Sequence, residues 1–191
     1  MAQPAMKKLT VLFSALLAMG MGMGFTACDD DDDETTWTKY ADWRETNQQW
    51  VDAQAALKND DGTSFYHVIQ PTWSPNDYIL IHWFNDRNET KGNLTPLLTS
   101  NVTTYYNLYD MDDNLLDSSD DTDEGSLTTV VSNVITGWQI ALMNMCVGDT
   151  VQIVVPYQSA YGSSSSGDID PYSALRFNMR LVDIPNYETM P

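Results

Sequence analysis

An α+β fold is what the sequence predicts: several antiparallel strands wrapped on one short helix, with an accessory helix ahead of them. Three observations carry it. Leu175, Phe177, Met179 and Leu181 alternate with Arg176, Asn178 and Arg180, the period of a strand with one buried face. Tyr78 to Phe84 (YILIHWF) and Val151 to Val155 are runs of β-forming residues, the second ended by Pro156. Val134, Ile135, Trp138, Ala141, Leu142 and Met145 fall on a single apolar helical stripe. Strands and a short helix of this kind make a layered α+β domain.

From Trp37 to Leu57 the pattern is helical, with Tyr40, Trp43, Trp50 and Leu57 near one face and Ala53, Ala55 and Ala56 adding propensity. That aromatic stripe is expected to pack on the domain behind it, and Asn59-Asp60-Asp61-Gly62 supplies the turn that closes this accessory segment, 37–62. Phe65 to Gln70 is a short strand, and Pro71 to Asp77 a turn. Tyr78 to Phe84 is expected to be buried on both faces. Asn85 to Asn93 reads as a polar loop, Val102 to Tyr109 as the next strand and Asp110 to Asn114 as a turn without the spacing of a calcium loop. Gly148 stops the helix, Gly162 to Gly167 (GSSSSG) is a flexible loop, and no internal repeat is visible.

The chain of 191 residues, 42% hydrophobic, has the composition of one globular domain. Its formal charge is -18, and every acid lies after residue 27. Lys7 and Lys8, two of the nine bases, lie before it, so the remainder carries -20. A body this acidic repels phosphate backbones, which excludes nucleic acid as a partner.

Lys7-Lys8 followed by the uncharged apolar run Leu9 to Gly24 is a targeting signal, too short for a comfortable membrane span. Phe25-Thr26-Ala27-Cys28 resembles the bacterial lipobox, with Phe in place of the usual Leu. This makes 1–27 a lipoprotein signal peptide and Cys28 the acylated first residue, so the membrane is a partner through a lipid anchor. Residues 28–36 form an acidic tether, whose run Asp29 to Asp33 resembles the export signal of surface lipoproteins in Bacteroidota. The expected location is the cell envelope, as an outer-membrane lipoprotein exposed at the surface, with the periplasmic face as the alternative. Cys146 then has no partner and reads as a buried structural thiol.

No zinc spacing, phosphate loop, nucleophile elbow or dinucleotide fingerprint is present, and His67 and His82 lie inside β runs as structural residues. Taken together, however, the blocks Val134-Ile135-Thr136-Gly137-Trp138, Met145-Cys146-Val147-Gly148-Asp149, Pro156 with Ala160-Tyr161-Gly162, Ile169-Asp170-Pro171 and Leu175-Arg176-Phe177 resemble the FKBP-type peptidyl-prolyl isomerases. Tyr106 followed by Leu116-Asp117-Ser118-Ser119 has the spacing of that family's strand tyrosine and its Phe-Asp-Ser turn. The resemblance covers roughly residues 64–184 of a domain read as 63–191, and it implies an antiparallel sheet curled around the short helix.

The resemblance also implies roles. Asp117, Trp138 and Tyr161 would be the catalytic set: Trp138 the floor of a proline pocket, Tyr161 a hydroxyl donor to the substrate carbonyl, Asp117 a carboxylate at the edge. Tyr106, Leu116, Val134, Ile135, Ile169 and Phe177 would bind substrate, Ile135 through its backbone N–H. Proline-containing peptides or unfolded proteins would be the partners, with macrolide-type inhibitors in the same pocket, and neither cofactor nor metal is implied. Three features depart from the family: Leu116 replaces an aromatic, Glu124 to Thr129 lacks one, and GSSSSG is polar. Each implies a wider, less apolar pocket and weaker turnover, which leaves a binding module with little isomerase activity as the alternative.

Overall fold

The structure, a computed structural model, describes residues 35–185 and Tyr187. The leader, Cys28 and the acidic run lie outside the described residues. Seven antiparallel strands form one sheet: β1 (His67–Ile69), β2 (Ile79–Trp83), β3 (Asn101–Tyr109), β4 (Leu115–Ser118), β5 (Leu127–Val130), β6 (Thr150–Val155) and β7 (Leu175–Asp183), in the order β1-β2-β6-β7-β3-β4, with β5 also on β3. The helices are α1 (Thr36–Lys39), α2 (Ala41–Ala55), α3 (Arg87–Thr90) and α4 (Thr136–Leu142). The α+β architecture expected from the sequence is the one observed.

Alternation in β3 and β7 does what period-two patterning requires. Val102, Thr104, Tyr106 and Leu108 point inward from β3, and Leu175, Phe177, Met179 and Leu181 from β7. Register pairs Tyr106 with Met179 and Leu108 with Phe177, so the two aromatic rings arrive on the same face of neighbouring strands. The outer edge of β3 is shared: residues 101–104 pair with β5 and 107–109 with β4. Between the two, the Tyr106 N–H donates to Ser119 Oγ at 3.1 Å.

On β2, Ile79 and Ile81 join the main core, while Leu80 turns to the other face and meets Val154, Val51 and Tyr66. Helix α2 covers that second face, which is why Ile79 to Ile81 are all buried; the expected burial on both faces does not extend to Phe84, which is 55% exposed. Here the helix differs from its expected form. The chain kinks at Tyr40 between α1 and α2, and the helix ends at Ala55. Leu57, placed by spacing on the buried stripe, is 44% exposed. Its carbonyl accepts the Phe65 N–H, which draws the chain into the return toward β1. The residues of α2 that are buried are Val51 and Asn47.

Two further expectations change. The polar loop before Asn93 contains α3, whose Asp86 cap accepts the Asn88 N–H. The apolar stripe from Val134 overstates the helix: Val134 and Ile135 are extended, and α4 starts at Thr136. Helix α4 lies against β6 at Gly137. A Cβ there would run into both methyl groups of Val155 and come within 3.2 Å of the Ser159 carbonyl oxygen. Alanine is the better helix former by about 1 kcal/mol. Overpacking against a stiff β-branched neighbour costs about 1–3 kcal/mol, so the contact decides the sign. Gly137→Ala is therefore expected to lower stability by up to about 2 kcal/mol in urea unfolding, and a stabilising result would contradict this packing.

Candidate active site

Trp138 stands in the first turn of α4 and is 4% exposed. Tyr106 meets its ring edge to face at 5.1 Å and 80°, and Phe177 does the same at 5.4 Å and 83°. Such T-shaped pairs add about 0.5–1.5 kcal/mol each beyond area burial, and two of them fix the indole's orientation. Ile169 is buried in the same cluster, and Leu116, Val134, Ile135 and Tyr161 pack around it half-buried. The apolar residues singled out in the sequence thus all belong to, or pack against, the core cluster that contains Trp138.

The polar groups converge on the same rim. The Tyr106 hydroxyl donates to Asp117 Oδ2 at 2.7 Å, and the other oxygen of Asp117 accepts the Ser118 N–H at 2.9 Å. Asp117 therefore orients an aromatic wall. The Ile135 carbonyl accepts from Trp138 and Gln139, while the Val134 carbonyl is taken by the Gln139 side chain at 2.8 Å. No hydrogen bond among the described residues uses the Ile135 N–H. Burial pushes the Tyr161 phenol up, the Ser166 hydroxyl works the other way, and the Asp117 carboxylate adds to the rise. Tyr161 is held neutral, as a donor must be.

Sequence reasoning missed the contribution of the accessory helix. Asn47, 1% exposed, accepts the Ala174 N–H at 2.8 Å and donates to the Trp43 carbonyl at 2.9 Å. Trp43 Nε1 donates to Ser173 Oγ at 3.2 Å. Tyr172, buried with φ 62°, is held by the rings of Trp37, Tyr40 and Tyr157. The segment that carries Ile169 is therefore tied to α1 and α2. Beside the aromatic cluster a groove of about 110 Å³ runs between α2 and this segment, with Leu116 and Ile169 in its wall. The aromatic stripe was the sequence signal that this helix packs on the domain, while Asn47, inside the polar run Arg44 to Gln49, gave no signal of its hydrogen bonds. Among the described residues, no group of three or more His, Cys, Asp or Glu could hold a metal ion.

Tyr106 is raised well above its ordinary pKa of 10.0 by burial first and by Asp117 second, and Tyr66 is pushed up to about 12 by burial. A phenol whose folded pKa is raised keeps its proton where the unfolded chain has lost it. That stability is full below pH 10 and is lost as pH rises through 10 toward 12. The urea midpoint is expected to hold up to about pH 10 and fall above it, less steeply in Tyr106→Phe. An unchanged midpoint at pH of about 12 would contradict the buried, neutral phenols.

Residues 92–182 match the model of the FKBP-type peptidyl-prolyl cis-trans isomerase family. The macrophage infectivity potentiator of Trypanosoma cruzi is 36% identical over 95 residues, 49% of this chain and 47% of that one. The peptidyl-prolyl cis-trans isomerase FKBP14 of Mus musculus is 39% identical over 59 residues, 31% and 28% of the two chains. The chain thus spans less than half the length of these curated relatives. In fold it is similar to FkpA of Escherichia coli, with a TM-score of 0.62 at 22% identity over 78% of this chain and 62% of that one. A peptidyl-prolyl isomerase of Pseudomonas syringae gives 0.60 at 21% identity, over 76% and 95%. The sequence match over residues 92–182, which include Tyr106, Trp138 and Phe177, is to the FKBP-type peptidyl-prolyl cis-trans isomerase family, and the two solved structures share the fold.

Proposed function

We propose that this protein is a peptidyl-prolyl cis-trans isomerase that assists protein folding at the cell envelope, held to the outer membrane through an acylated Cys28. The observation that carries the catalytic part is the Tyr106–Trp138–Phe177 cage, with the unused Ile135 N–H and the neutral Tyr161 hydroxyl at its rim. Proline-containing segments of unfolded proteins are its substrates, and macrolide-type inhibitors compete for the same pocket.

The reaction needs no nucleophile or acid. Rotation about an X-Pro bond crosses a barrier of about 18–20 kcal/mol set by amide resonance. The twisted amide loses conjugation and its charge separation, so an apolar surface favours it over the planar amide. Each ~1.4 kcal/mol of that preference is worth about tenfold in rate. Trp138 supplies the floor for the prolyl ring, and Tyr106, held by Asp117, and Phe177 brace it. The Ile135 N–H and Tyr161 hydroxyl fix the substrate carbonyls. Asp117 is a positioning residue in this scheme.

The test is isomerisation of a short proline peptide by the detergent-solubilised protein. Losing one hydrogen bond costs roughly 0.5–1.5 kcal/mol, so Tyr161→Phe is expected to slow turnover by about tenfold or less. Leu116→Phe, which narrows the ring of side chains around Trp138, is expected to raise it. A well-folded wild type that isomerises nothing, with Leu116→Phe equally inert, would leave peptide binding as the function.

The anchor has its own support in the apolar leader and Phe25-Thr26-Ala27-Cys28, and Asp29 to Asp33 supports a surface position. Wild-type protein is expected in the membrane fraction and open to external protease on intact cells, while Cys28→Ala turns up as soluble material. Unaltered fractionation of that variant would remove the anchor from the proposal.

A further inference from the structure

We propose that the groove between α2 and the segment 168–175 is a second subsite, which receives the side chain next to the proline and selects a basic one. This rests on the isomerase reading and adds a substrate preference to it. The groove adjoins the proposed proline pocket, because Leu116 and Ile169, which line it, also belong to the core cluster that holds Trp138. A peptide whose prolyl ring lies over Trp138 therefore brings a neighbouring residue to its mouth. Its volume of about 110 Å³ is on the order of four waters, room for one extended side chain and no more.

The chemistry of its lining is matched to a long cation. Trp43, Leu116 and Ile169 offer apolar surface to a methylene stem, which Lys and Arg bury readily while keeping their charged end wet. Asp110, Asp168 and Asp170 belong to the same lining, Asp168 and Asp170 being exposed to water. Their charge is uncompensated. Asp110 accepts only from its own turn, the N–H groups of Asp112 and Asn114 and the Asn114 amide. Asp168 and Asp170 enter no side-chain hydrogen bond or ion pair among the described residues, whereas Asp113 is paired with Arg176 at 2.6 Å and Asp149 with Arg87 at 3.6 Å. Of the bases nearby, Arg44 is spent on the Trp37 carbonyl at 2.8 Å and on the Trp37 ring at 3.2 Å, Lys39 lies over the Tyr40 ring, and Arg176 is taken by Asp113. A half-enclosed cleft of one sign, walled by apolar groups, focuses its field on whatever enters it.

Two sets of peptides test this, one varying the residue before the proline and one the residue after it, each with Lys, Leu or Glu at the varied place. In one set kcat/KM is expected to favour Lys over Glu by about five- to tenfold, the sum of modest attractions and repulsions at partly exposed carboxylates. The ratio should shrink toward one at high salt and in Asp168→Asn/Asp170→Asn. It should persist in Asp60→Asn/Asp61→Asn, which removes the same charge at the turn beyond the far end of α2. Equal turnover of Lys and Glu peptides in both sets, with the Leu peptides turned over, would overturn the subsite and leave the isomerase standing. So would an equal loss of preference in the Asp60/Asp61 control, since net charge would then be the cause. Folded protein that turns over no peptide would overturn the isomerase reading and the subsite with it.

Discussion

Trp138 can lie between Tyr106 and Phe177 only because α4 comes down on β6 at a residue with no side chain. The absent Cβ of Gly137 lets the helix rest on Val155 and on the Ser159 carbonyl. The next residue is thereby delivered into the concave face of the sheet. Everything at the site inherits its position from that contact. The indole is seated by two edge-to-face neighbours that come from adjacent strands in fixed register. The extended pair Val134-Ile135 leads into the helix, which leaves the Ile135 N–H outside the helical ladder and at the rim of the same cage. A helix held further from the sheet by one methyl group would move the floor, the wall and the donor together.

The polar side of the site is organised by a different constraint, the need to satisfy each buried donor. Tyr106 uses both ends: its N–H goes to Ser119 and its hydroxyl to Asp117. The chain between β4 and β5 leaves the sheet just where Tyr106 would otherwise have found a strand partner, and Ser119 fills the vacancy in the ladder. Asn47 does the same work for Ala174 from outside the sheet. The accessory helix is therefore joined to the domain by a hydrogen bond to buried backbone as well as by apolar contact, and its attachment is specific in register. Asp149 shows the same logic away from the site. Fully buried, it accepts from Asn85, Thr90 and the Cys146 N–H and is paired with Arg87, so the loops around α3 are tied to the start of β6.

What could be read from the sequence followed from how each element is buried. β7 alternates cleanly because one face meets the core and the other meets water, and its pattern declares it. β2 has no alternation at Ile79 to Ile81 because Val51 of α2 and Tyr66 ahead of β1 cover its second face, so that part of the run was legible as a strand buried twice, whereas Phe84 at its end is exposed. The stripe from Val134 to Met145 was legible as apolar but not as backbone: side chains of an extended pair and of a helix can fill one core, and spacing does not encode φ and ψ. Helix α3 and strands β4 and β5 are four residues each, too short for any period to emerge. At the site, motif spacing brought Tyr106, Asp117, Trp138, Tyr161 and Phe177 together because each is fixed by local order within its own element. Trp43 was legible as part of a stripe that packs on the domain, but its hydrogen bond and those of Asn47 were beyond reach, since they lie with partners some 130 residues away along the chain.

The sheet order has a consequence for where this domain can be cut. The family match begins at residue 92, yet β1 and β2 precede it and β2 lies against β6, the strand that supports α4. A chain trimmed to the matched segment would strip β6 of its neighbour along Val151, Ile153 and Val154. That would turn an interior strand into a bare edge of β-branched residues, with unpaired N–H and C=O groups facing solvent. Edges of that kind recruit strands from other molecules. The residues ahead of the recognisable motif are thus part of what keeps β6 an interior strand, and the smallest unit without that bare edge is larger than the smallest recognisable one.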